Sequence, residues 1–143
     1  MPVATALRGP AGRLAMSVVL MSSLTACATL VAPDGMLLGA WGGVHLQLVA
    51  DSSGGRLTYD CATGVIDLPV MVENGRLHAT GTHSPGHGGP IRVGEEPVKL
   101  PARYDGELSG DKLTLTVTLT DTGQQLGVYQ LRRGNPGQIL ACL

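Results

Sequence analysis

The chain has 143 residues, of which 43% are hydrophobic and only 15% charged, and its formal net charge is −1. Ten basic residues with no patch among them argue against nucleic acid as a partner. One Trp, three Tyr and no Phe leave too little aromatic surface to stack bases or sugar rings.

The leader reads MPVATALRGPAGRLAMSVVLMSSLTA, with Arg8 and Arg13 ahead of an apolar run from Leu14 to Leu24. A positive start, a short apolar stretch and small residues at the end make a secretory signal. The run is too short to span a bilayer, which takes about 20 apolar residues. Leu24-Thr25-Ala26-Cys27 then resembles the lipobox of bacterial lipoproteins. That resemblance implies removal of residues 1–26, a diacylglyceryl group on the Cys27 thiol, and acylation of the new amino terminus by a fatty acid such as palmitate. Two or three acyl chains anchor a protein stably where one is marginal. Ala28 in place of an aspartate implies, by the same resemblance, the periplasmic face of the outer membrane where the organism has two membranes. The alternative is an ordinary secreted protein in which Cys27 happens to fall near the cut.

Residues 27–143 suit one domain. Because the leader holds two basic residues and no acidic one, that domain is more acidic than the whole chain. Residues 28–38, ATLVAPDGMLL, lack polar alternation, so residues 27–38 read as a lipidated tether to a domain over 39–143. From Trp41 the period is two. Val44, Leu46, Leu48 and Ala50 share a face, and a bulge at Gly42-Gly43 would account for the different parity of Trp41. After the turn DSSGG, Leu57, Tyr59 and Cys61 fall together; Ile66, Leu68, Val70 and Val72 follow, with Pro69 marking an edge or a bulge. Asn74-Gly75 is a type I′ hairpin signal, because both central residues need positive φ. Leu77 and Ala79 return on the next strand.

Further along, Val98, Leu100, Ala102 and Tyr104 alternate with Lys99, Pro101, Arg103 and Asp105. Leu113, Leu115, Val117 and Leu119 alternate with threonines, the pattern of a half-buried strand, and LGVYQLR and QILAC finish the chain. Seven or eight short strands at regular spacing and no amphipathic helix predict an all-β domain. With mostly short turns, that becomes an antiparallel up-and-down β-barrel of about eight strands. The opening Gly39-Ala40-Trp41 resembles the Gly-x-Trp start of calycin barrels such as lipocalins and avidins.

Two cysteines remain after Cys27. An even pair in an exported domain predicts a disulfide between Cys61 and Cys142, since neither has a neighbour that would activate a free thiol.

Chemistry has one natural place, the irregular stretch from Thr82 to Pro97. Arg92 and Glu95 there, with Tyr104, are candidates for contact with a ligand or partner. His78, His83 and His87 form a loose H-x4-H-x3-H series that could gather around zinc or copper, although paired short spacings are missing. No nucleophile elbow, no H-E-x-x-H pair and no phosphate loop is present, so no enzyme and no cofactor is expected. Trp41 to His45, Asp60 to Gly64 and the closing Cys142-Leu143 look like a group of small bacterial exported proteins without an assigned activity. Tyr59-x-Cys61 on a lipid-anchored barrel is also similar to the C-type lysozyme inhibitor lipoproteins. Their inhibitory Ser and Tyr would fall on Ser109 and Tyr104, but the family's Ser-Gly-x-x-Tyr order is absent. The expectation is a non-catalytic binding module of the cell envelope for a small ligand or protein. Its alternatives are a periplasmic metal binder and a structural lipoprotein.

Overall fold

In the computed structural model, which describes residues 34–86 and 92–142, the Leu/Thr alternation becomes β9 (Lys112–Leu119), apolar side inward. The other strands are β1 (Gly35–Met36), β2 (Gly39–Gly42), β3 (Leu46–Ala50), β4 (Gly55–Tyr59), β5 (Ala62–Ile66), β6 (Met71–Glu73), β7 (Arg76–Pro85), β8 (Leu100–Ser109) and β10 (Gln125–Arg133). Every strand pair is antiparallel.

Eight strands close into a barrel in the order β2-β3-β4-β5-β7-β8-β9-β10, and β10 returns to β2 through Arg132–Gly42 and Arg133–Trp41. Neighbours in space are neighbours in sequence, which is the up-and-down meander expected from short turns. β1 and β6 form a small annex on the lower half of β7. The register explains it. Ile66 faces Gly81 but Val72 faces Leu77, so the chain from Asp67 to Val70 steps out of the ladder before rejoining it. Pro69, which cannot donate a ladder hydrogen bond, sits in that step. Asn74 (φ 51°) and Gly75 (φ 73°) then turn the chain as a type I′ pair.

Side chains pack the middle of the barrel. Trp41, Leu46, Leu48, Leu57, Leu77, Tyr104, Leu113, Leu115, Val117 and Leu131 are all buried and fill it, as side chains can in an eight-stranded barrel. The Trp41 indole N–H donates to the Leu38 carbonyl (3.2 Å), and the Arg133 guanidinium lies 4.5 Å from the ring centre. Gly64 on β5 is needed for this packing: a Cβ there would come within 2.6 Å of the Tyr104 hydroxyl, which donates to the Thr82 carbonyl at 2.7 Å.

Several expectations are corrected. Trp41 and Leu46 are not on one bulged strand. Gly43 to His45 make a turn between β2 and β3, with His45 at φ 68°, and Val44 is 56% exposed rather than inward. Cys61 sits in the β4–β5 turn and is exposed, because the hairpin reverses before its parity counts. Leu68 is 69% exposed, since the step at Pro69 breaks the alternation. Residues 138–142 make a single bridge, Gln138 to Val44, instead of a strand. The end of the segment read as a tether belongs to the domain: Leu37 is buried, and its N–H donates to the Val70 carbonyl. The leader and Cys27 lie outside the described residues.

Candidate functional site

At the end of the barrel where β7 finishes, three segments border a cleft of about 380 Å³. They are the β4–β5 turn around Asp60, Cys61 and Ala62, the stretch Ser84–Gly86, and residues 95–98 ahead of β8. The local sequence accounts for each. Gly86 lets the chain pass close to the β4–β5 turn, its N–H donating to the Cys61 carbonyl at 2.6 Å. Glu95 closes a turn onto the Arg92 carbonyl (3.0 Å), and Glu96, Pro97 and Val98 then lead to β8. The Cys61–Cys142 disulfide forms one wall, with its Cα atoms 5.3 Å apart.

The wall is braced from behind by the carboxyl-terminal tail. Gln138 exchanges backbone hydrogen bonds with the β2–β3 turn, its N–H donating to Gly43 and its carbonyl accepting from His45. Asp60 accepts from the Leu140 N–H at 2.8 Å and from His45 Nδ1 at 2.5 Å. One carboxylate therefore ties two turns and the tail together.

Below the cleft is an aromatic layer. The Tyr59 ring meets His83 edge-on at 5.1 Å and Tyr129 at 5.6 Å. Burial, with Tyr104 and Tyr129 alongside, pushes the Tyr59 phenol far above its ordinary range, and burial pushes Tyr104 up to about 12. His83 is buried with no hydrogen-bond partner for Nδ1, and desolvation holds its pKa below the ordinary imidazole value. A buried His that resists protonation costs stability as pH falls through about 6.5, where the unfolded chain takes up its proton first. The melting temperature of the wild type is therefore expected to fall between pH 7 and pH 5. In His83→Phe that fall should be smaller, as a pH series of thermal melts would read.

The sequence-selected residues divide around this cleft. Glu95 lines it and Arg92 adjoins Glu95 in the same turn. Tyr104 is within the packed core, fully buried, because it shares inward parity with Ala102 and Leu108; no partner can reach it. The inhibitor-like role for Tyr104 loses its basis, and Ser109 lies exposed at the other end of β8. His78 and His83 do not converge. His78 and His83 are five residues apart on β7, an odd spacing, so His78 faces solvent beside Asp105 (2.8 Å) while His83 faces the interior. His87 lies outside the described residues, among which no group of three metal-ligating side chains occurs. The irregular segment is also shorter than expected, since β7 continues through Pro85 by pairing with β5 and β8. Ser84–Gly86 falls inside the irregular stretch singled out from the sequence, whereas the wall at Asp60–Ala62 was missed as a site; the Cys61 pairing was the one signal that tied this turn to the tail.

In comparison with known proteins, no family model, curated protein or solved structure matches the chain.

Proposed function

We propose that this chain is a lipid-anchored cell-envelope protein that acts by binding, without catalysis, through the cleft at the β7 end of the barrel. The observation that carries the reading is the filled interior: with the middle of the barrel packed, a ligand has to be met at the surface, and the cleft is the concave place beside an aromatic layer. Ala62, Pro85, Pro97 and Val98 offer apolar contact, and Asp60, Glu95 and Glu96 border it with carboxylates. Such a surface favours an apolar group that carries positive charge, whether on a small molecule or on a protein side chain. Cys27 supplies the anchor in this reading, and the periplasmic face of the outer membrane is its address where two membranes exist.

Two measurements on cells test it. Cys27→Ser should abolish fatty-acid labelling and move the protein out of the membrane fraction; equal labelling of the variant would refute the anchor. A photocrosslinking amino acid at Val98 should form discrete adducts in the native envelope, lost when Ala62→Arg fills the cleft. The same adducts from a probe at Thr114, on the outer wall, would refute the cleft as the binding place.

A further inference from the structure

The annex leaves a group of apolar side chains uncovered. Met36 and Met71 are partners across β1 and β6 and are 41% and 48% exposed, and Leu38 and Leu68 on the adjoining segments are 48% and 69% exposed. Leu37, Val70 and Val72 point inward and complete the core; alternation along β1 and β6 then presents Met36, Leu38 and Met71 outward, and the step at Pro69 leaves Leu68 outside as well. Contiguous exposed apolar side chains on a small domain mark a contact surface.

Where the chain enters the domain identifies what covers this surface. Asp34, the first described residue, accepts a hydrogen bond from the Asn74 N–H at 2.6 Å, so the amino-terminal segment arrives at the annex itself. Asp34 lies seven positions after Cys27, a stretch that spans at most about 25 Å when fully extended. A lipid on Cys27 therefore holds the annex within that distance of the bilayer. The long strand β7 runs from the annex at Arg76 to the cleft at Ser84–Pro85, a rise of about 30 Å at the usual strand spacing.

We infer that Met36, Leu38, Leu68 and Met71 form a membrane-seating face, which rests on the lipid surface and turns the cleft away from it. The inference rests on the anchor reading above. The charges beside the patch, Asp34 and Glu73 with the Arg76–Glu107 pair, carry no net positive charge. The contact is accordingly apolar and insensitive to salt, unlike a basic patch on anionic lipid.

The test uses the acylated full-length protein, purified from membranes and reconstituted into phosphatidylcholine vesicles that carry a nitroxide near the headgroup end of one acyl chain. A bimane label is placed at Met71→Cys, or at Asp121→Cys in the β9–β10 turn at the cleft end. Bimane at position 71 should lose fluorescence to the nitroxide, in low and high salt alike, while the label at 121 keeps it. Adding Met36→Glu and Leu38→Glu should leave flotation with the vesicles intact and abolish the quenching at 71. Flotation with no difference between the two labels would overturn the seating face while leaving the anchor standing. Failure to float would overturn both. A blue-shifted label at 71 without lipid quenching, together with crosslinked dimers, would assign the face to a second copy of the chain and overturn the membrane contact.

Discussion

Trp41→Ala is expected to destabilise the domain by about 3–5 kcal/mol, the range for emptying a buried aromatic site. The side chain is fully buried where β2 meets β10, the seam at which the barrel closes. Truncation removes the apolar contacts, leaves the Leu38 carbonyl without its indole donor, and strips Arg133 of the ring it lies over. The surrounding leucines come from strands held on both sides, so the void has little room to collapse. Urea unfolding should show a large drop in midpoint with an unchanged slope. A midpoint shift of less than about 1 kcal/mol equivalent would mean that the seam repacks freely and that closure does not depend on this residue.

Loss of the Cys61–Cys142 bridge should have an effect of similar size by a different route. The bridge joins residues 81 apart in sequence. In the chain-entropy picture a closed loop of that length removes about 4–5 kcal/mol of freedom from the unfolded chain, and native bridges in small exported domains are worth about 2–5 kcal/mol. The paired substitution Cys61→Ala with Cys142→Ala avoids a stray thiol. It should lower the melting temperature markedly while the far-ultraviolet spectrum of the barrel is kept, because the tail contributes no ladder strand. Amide exchange at His45 should accelerate, since its N–H donates to Gln138 in the tail. A reduced wild type that melts with the oxidised one would show that the bridge is energetically idle.

The strands were legible where one face is buried and the other wet. Leu113 to Leu119 alternate with threonines because β9 lies in a closed wall with one side toward the core, and the same logic found Leu100 to Tyr104. Asn74-Gly75 was legible because the turn demands positive φ from both residues. The even pair of cysteines left after Cys27 also predicted the bridge that the fold contains. The candidate site was only partly legible. Glu95, which lines the cleft beside the predicted Cys61–Cys142 bridge, came from noticing an irregular stretch, whereas Tyr104 was misplaced although its own parity with Ala102 put it inside.

By itself, then, the sequence determined the fold class, the up-and-down order and the disulfide, because side-chain period, turn chemistry and cysteine parity are local or countable properties. Tertiary structure alone decided where strands end and which turns meet. Val44 and Leu68 follow the apolar pattern yet stand in solvent, because a reversal at His45 and a step at Pro69 reset the register after it had been set by neighbours. The cleft likewise exists only because barrel closure brings residues 60–62, 84–86 and 95–98 to one end and the tail is fastened behind them. Contacts between segments so far apart along the chain depend on strand register and tilt, which no local pattern of side chains encodes.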